Sequence, residues 1–424
     1  MIDKLFSILL ILNATGLFSF IAPQVGVSIG QVSLALLWLN VFYLLTKTKY
    51  LLMIVRHPWM KICLFVILAW PLFTAIYAPS FEVRTIGLQL YYVTLFLCAV
   101  VYTVANGLPA MHRLVTISLF LSIFGLVMSM IAPQYFEQVS QLAEAKTRLE
   151  GRAFGFLLQP NQLATSLVLL FIAWFSLWRW KSTGSEIMAT LVFMLFVLVT
   201  GSRTGMLVAS MVVLLIYVSA LQRGKVPLKT LVKTGVAAIC FLCVVIGTKA
   251  YISNMEYTDT RRSELFERME TLLSFKLTPT GKLMDARSLQ LRVMAQEVYW
   301  SLFNEKPILG HGLGADTYYK ERGVIFLSAH SDALTTAMEY GVLYPLAFSL
   351  LMLHLYKRNR RHQAEVILQT NSIVQFVLAC LSIFIFSGGL WDSRTFYVVW
   401  GMFFAVVYWR DFFFIDTLYL KQLN

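Results

Sequence analysis

Residues 191–215 read LVFMLFVLVTGSRTGMLVASMVVLL. Two apolar runs flank a short turn, Thr200-Gly201-Ser202-Arg203-Thr204-Gly205, which carries the only charge in the stretch. Runs of this kind read as membrane helices, and a turn this tight makes them neighbours. Working outward, the same pattern recurs along all 424 residues. A spanning helix needs about 20 mostly apolar residues. The sequence predicts twelve, over 4–22, 25–46, 60–77, 86–105, 112–132, 153–178, 186–200, 204–221, 230–250, 333–356, 371–387 and 393–409. Composition agrees: 58% of residues are hydrophobic and only 13% charged, where a soluble domain carries about a quarter charged. The expected fold is an all-α polytopic membrane protein.

Twelve spans place both termini on one side, and the basic residues of short loops decide which. One set of loops and both termini hold 18 basic residues, among them Lys47, Lys49, Arg56, Lys225, Lys357 and Arg358, against 5 acidic ones. That face is expected to be cytoplasmic. It accounts for the chain's whole net charge of +13. Nucleic-acid binding has no support, because the charge follows the inner loops and not a separate domain. Lys4 precedes a long apolar segment without a small-residue cleavage site, so the first helix is expected to stay as an anchor. Cys240 and Cys243 have C-x-x-C spacing, but within an apolar helix they read as small buried residues.

The chain divides on this reading into helices one to nine (1–250), a long external loop (251–332) and helices ten to twelve with the inner C-terminus (333–424). The loop is not featureless. Residues 261–275, RRSELFERMETLLSF, place Leu265, Phe266, Met269, Leu272 and Leu273 on one helical stripe, which predicts an amphipathic helix. Residues 286–304 predict a second helix, stopping before Pro307. The segment then runs through Ile308-Leu-Gly-His-Gly-Leu-Gly314 to His330-Ser331-Asp332. A loop of this length in a compact protein is usually functional, and it is expected to cap a cavity.

Several arginines gather on the expected outer face: Arg84, Arg148, Arg152, Arg203, Arg287, Arg292 and Arg394. A guanidinium makes bidentate, permanently charged contacts with phosphate, so an anionic ligand entering from the outer leaflet fits them. A snorkelling arginine at a helix end is the structural alternative for any one of them. Arg203 stands apart because its turn leaves it almost no loop to sit in. Of six histidines only His311 and His330 lie outside. An imidazole near neutral pH suits a general base, and His330, beside Ser331 and Asp332, is the sharper candidate; a capping histidine is its alternative. His311, between two glycines, fits a turn or a substrate contact. No Walker A loop, no H-E-x-x-H, no metal-ligand spacing and no G-x-S-x-G elbow occurs. No cofactor or metal is expected.

Four motifs in order resemble one family. Arg152-Ala-Phe-Gly-Phe-Leu-Leu-Gln-Pro-Asn161 is similar to its R…G-F…P-N signature, and Thr200 to Gly205 to its T-x-S-R-x-G turn. Arg292, ahead of Pro307-Ile-Leu-Gly-His-Gly-Leu-Gly314, is similar to its R…P-L-L-G-x-G segment, with Arg287 as the second choice for that arginine. His330-Ser-Asp…Glu339-Tyr-Gly341 is similar to its H-N…E-x-G run, departing from it at Ser331. Together, over about 150–345, they resemble the O-antigen ligase and polymerase superfamily (WaaL and Wzy types).

The resemblance implies a GT-C-like glycosyltransferase in the inner membrane of a Gram-negative bacterium, active at the periplasmic face. The implied donor is an O-antigen glycan on undecaprenyl pyrophosphate, and the implied acceptor is lipid A–core. Catalytic roles fall on His330, Arg203 and Arg292, and substrate contacts on Arg287, Arg152, Asn161, His311 and Ser331. An undecaprenyl-linked donor is also chemically apt, because the periplasm supplies no nucleotide sugar and a pyrophosphate needs arginines at the outer surface. The alternatives are an O-antigen polymerase, with the same chemistry on a second lipid-linked glycan, and a lipid or polysaccharide transporter. A transporter would be expected to keep charges at the bilayer midplane.

Overall fold

The apolar runs become helices wherever the structure describes them. The computed structural model describes residues 2–80, 83–142, 155–177, 183–222, 282–361, 372–386, 389–409 and 411–412. These form α1 (Ile2–Thr15), α2 (Leu17–Gln24), α3 (Ile29–Thr46), α4 (Thr48–Arg56), α5 (Pro58–Tyr77) and α6 (Val83–Ile131). They continue with α7 (Pro133–Leu142), α8 (Pro160–Leu177), α9 (Thr183–Val199), α10 (Arg203–Gln222) and α11 (Lys282–Glu305). The last five are α12 (Ala315–Glu321), α13 (Asp332–Tyr340), α14 (Leu343–Arg361), α15 (Ser372–Phe386) and α16 (Arg394–Val407). No strand occurs among the described residues.

Three helices, α5, α6 and α8, are long and apolar enough to cross a membrane, and a fourth span results if α1 and α2 count together. Parts of α3, α9, α10, α15 and α16 are shorter apolar helices. The expected first span, 4–22, is bent by 87° at Gly16. The expected fourth and fifth spans form the two halves of α6, interrupted at Gly107, whose φ of 77° and ψ of 173° leave the helical region. The tenth is corrected: 333–356 is not one span. The chain breaks at Gly341, and α13 lies apart from α14. The ninth expected span (230–250), the amphipathic stripe (261–275), Arg148 and Arg152 lie outside the described residues.

α16 forms the centre of the bundle and packs most extensively on α6. Its inner residues are large: Trp400, Phe403 and Phe404 are fully buried. They fit because Gly401 lets the two backbones approach, a Cβ there falling 2.7 Å from the Phe96 carbonyl oxygen. Small residues at close helix crossings are the rule where lipid supplies no hydrophobic drive between helices. Polar side chains tie the same helices: Thr395 Oγ1 donates to the Ala14 carbonyl at 2.6 Å and meets Ser166 Oγ at 2.8 Å. Leu34, Trp38, Phe42 and Leu45 of α3, and Phe120 and Phe124 of α6, are exposed. Apolar rows of this size need lipid around them.

Ion pairs tie the loops at one end. Lys47 Nζ lies 2.9 Å from Asp3, and Arg358 Nη2 holds both Asp411 oxygens at 2.7 Å. His57 Nε2 is 3.4 Å from the same carboxylate. All five belong to the face read as basic from sequence.

Candidate functional site

The other end of the bundle is built from helix starts. Ser202 caps α10: its Oγ accepts from Gly205 N–H at 3.2 Å, which sets Arg203 as the first helical residue. A Cβ on Gly205 would lie 2.5 Å from that of Ala164, so α10 begins hard against α8. Asn161, the second residue of α8, thus stands beside the start that carries Arg203. α16 begins at the same end, through the Thr395–Ser166 contact one turn along α8. Arg394 there donates to Ser19 Oγ at 2.9 Å and lies over the Tyr91 ring.

Above these starts sit α11, α12 and α13, which share their own apolar cluster of Tyr299, Leu302, Phe303, Ala315, Ile325, Ala329, Ala337 and Met338. α11 covers the helix expected over 286–304. The glycine run after it packs backbone on backbone. His311 N–H donates to the Met338 carbonyl at 2.8 Å, Gly312 N–H to Glu339 at 2.7 Å, and Val342 N–H to Pro307 at 2.8 Å. The final carbonyls of α13, which a helix leaves without partners, are satisfied in this way. Trp70 Nε1 donates to the Tyr340 carbonyl at 3.1 Å and Tyr77 Oη to Leu309 at 2.6 Å, which fastens the unit to α5.

α13 opens where the catalytic candidate lies. Ser331 Oγ accepts from Leu334 N–H at 3.3 Å and caps the helix. Asp332 next to it accepts from Gly389 N–H at 2.7 Å and Leu390 N–H at 2.6 Å, in the loop that leads into α16. His330 is half-buried at φ 51°, in the left-handed region. A residue other than glycine is uncommon there, and such positions cluster at functional sites. Gln296 Nε2 of α11 reaches the Ala329 carbonyl at 3.4 Å. The fold therefore brings His330, Ser331, Asn161 and the start bearing Arg203 to one end of the bundle, with α11 alongside. Arg287 and Arg292 are residues of α11; the side chains of these two and of Arg203 lie outside the described residues, as does Arg152 altogether.

His311 is buried, with Nε2 2.7 Å from the Leu302 carbonyl oxygen and Nδ1 3.0 Å from Tyr319 Oη. Both ring nitrogens are engaged inside the cap. A buried acid network also emerges that no local motif announced. Tyr299 Oη donates to Asp316, Lys320 Nζ lies 2.5 Å from the same carboxylate, and Asp316 N–H donates to Glu339 Oε1 at 3.1 Å. Its signal in sequence was weak: each acid stands two residues from a glycine, Asp316 after Gly314 and Glu339 before Gly341, and their pairing is legible only once the chain folds back. No cluster of potential metal ligands occurs among the described residues.

Burial, then the charge of Asp316, pushes the Glu339 carboxyl up to about 8. Burial, then Asp392, pushes Asp332 up to about 7. Both groups hold their protons more firmly folded than unfolded. The folded state therefore loses stability as pH rises from the ordinary carboxylate range toward 8, and levels off above it. Glu339→Gln keeps an acceptor for the Asp316 N–H and removes that titration. Thermal unfolding in detergent at stepped pH should show a shallower decline and a higher midpoint at alkaline pH than the parent, the full effect amounting to at most about 5 kcal/mol. A variant with the parental profile would assign the dependence to other groups.

The described residues are all-helical, and the apolar helices among them are those of a membrane protein. Residues 187–348 match the family described as O-antigen ligase. That match supports membership of the O-antigen ligase and polymerase superfamily, without separating ligase from polymerase. It supports a glycosyltransferase-like role in O-antigen ligation or polymerisation, on lipid-linked polysaccharide. The matched range runs from α9 through the cap into α14. No curated protein and no solved structure matches the chain significantly.

Proposed function

We propose that the protein is an O-antigen ligase that transfers a glycan from undecaprenyl pyrophosphate to lipid A–core at the periplasmic face of the inner membrane, with a GT-C-like bundle and residues 251–332 as the cap. The observation that supports this reading is the meeting of the α8, α10 and α16 starts at the end of the bundle where Asp332, next to His330, is held by the loop that leads into α16. Arg203 and Arg292, supported by Arg287 and Arg152, grip the pyrophosphate. His330 takes the proton of the acceptor hydroxyl, whose oxygen attacks the anomeric carbon with inversion. The bond from that carbon to the pyrophosphate oxygen breaks, and undecaprenyl pyrophosphate leaves with the electron pair. The step uses no metal or cofactor.

Lipopolysaccharide gels of a deletion strain test the reading. Loss of a ligase leaves bare core. Loss of a polymerase, the second reading because the family match covers both, leaves core bearing one repeat unit. An unaltered ladder sinks both. Arg203→Ala and Arg292→Ala should each slow transfer on the order of a hundredfold, the effect of removing one preorganised contact to a developing charge. Transfer by purified protein on lipid-linked donor measures it, and a variant at the parental rate takes that arginine out of the mechanism.

A further inference from the structure

The two faces of α11 differ in what they present. Tyr299, Leu302 and Phe303 turn into the cap's apolar cluster. The opposite stripe carries Val293, Gln296, Glu297, Trp300, Ser301 and Asn304, which with Leu334 of α13 line an open groove of about 520 Å³, within the about 300–1,000 Å³ of ligand sites. Trp300 is 56% exposed, while its neighbours on α11, Tyr299 and Phe303, are buried. Its ring is braced by Phe303 at 5.3 Å between centroids.

The chemistry of the lining narrows the occupant. Two amides, a hydroxyl and a carboxylate supply both donors and acceptors. The carboxylate of Glu297 is the one charged group among the described lining residues, and it disfavours an anion at its own position. Four polar side chains disfavour an acyl chain. What remains is a neutral polyhydroxyl ring, with C–H faces for the indole and hydroxyls for the amides. The groove also lies where such a ring is needed. Gln296 bonds the carbonyl of Ala329, the residue before His330, and Leu334, four residues after it, lines the groove. In helical register it continues the line from position 292, which lies about 12 Å along the axis from position 300 at 1.5 Å per residue.

We propose that the α11 groove around Trp300 is a saccharide subsite that holds the glycan of one of the two substrates next to His330. The assignment rests on the transferase reading above. The glycan can belong to the acceptor or to the donor, and the test separates them. Full-length protein in detergent is titrated with two soluble probes, monitored by saturation-transfer NMR. One probe is core oligosaccharide released from lipopolysaccharide by mild acid; the other is O-antigen repeat released in the same way.

One probe should bind, and Trp300→Ala or Gln296→Ala should weaken it at least tenfold, while Trp300→Phe keeps most of the affinity. Trp38→Ala, on the apolar outer face of α3, serves as the control. In the transfer assay Trp300→Ala should raise KM for the matching substrate at least tenfold with kcat within twofold. If neither probe binds, or Trp300→Ala binds and turns over as the parent does, the proposal is wrong. If Trp300→Ala alters only association with lipid vesicles, the ring is an interfacial anchor and the proposal is again wrong. Transfer that needs His330 but ignores Trp300 overturns the groove and leaves the function standing. Trp300-dependent sugar binding without any transfer does the reverse.

Discussion

His330→Ala is expected to leave protein levels and donor binding intact while transfer falls by about 10²–10⁴-fold, the usual contribution of a positioned general base. The expectation follows from where the residue is held. Ser331 caps α13 behind it, and Asp332 is clamped by two backbone N–H groups of the 389–390 loop. The imidazole is therefore carried on a rigid point and not on a free loop. Its backbone at φ 51° raises a competing explanation, because alanine in the left-handed region carries strain of about 1–2 kcal/mol. His330→Asn separates the two. Asparagine tolerates that region and cannot serve as a base, so it should restore any lost stability without restoring transfer. Single-turnover rates on purified donor and acceptor decide the matter. A rate within threefold of the parent for His330→Asn would remove the histidine from the chemistry.

Much of this architecture is legible from residue order. Apolar runs mark the helices, and the tight turn at Thr200 to Gly205 does join two of them, because Ser202 is a competent cap and Gly205 allows α10 to start against α8. The helix over 286–304 is equally plain. The merged helix reading of 333–356 fails for a specific reason. Hydropathy continues unbroken through Tyr340, Gly341 and Val342, and nothing local says that the glycine must admit another backbone. That demand comes from residues 307–312, which approach it only in the folded chain. The acid network has the same origin: Asp316 and Glu339 are 23 residues apart, and their pairing exists because α12 and α13 meet. The roles of Arg203 and Arg292 come from motif order and residue chemistry, and the fold adds the position of their backbones.

Gly341→Ala should detach the cap from the bundle, and a matched control isolates the reason. Gly341 has φ 79° and ψ 167°, a region an L side chain rarely enters, at a cost of about 1–3 kcal/mol. A Cβ there would also overlap the Ile308 carbonyl, which is backbone and cannot swing aside; overpacking of this kind costs about 1–3 kcal/mol more. Gly323, at φ 73°, has nothing within 4 Å of a Cβ, so Gly323→Ala carries the conformational strain alone. The difference between the variants is thus the contact with residues 307–312 together with the added strain of the ψ of 167° at Gly341. Domains hold together by about 5–15 kcal/mol in total, so Gly341→Ala removes a large share of the cap's attachment. Amide exchange should rise across 306–342 in Gly341→Ala, with the three bonds from His311, Gly312 and Val342 exposed first, and transfer should fall with it because His330 loses its seat. Gly323→Ala should retain parental exchange across the same residues and most of its activity. Equal exchange in the two variants would mean that the backbone contact at Ile308 does not hold the cap in place.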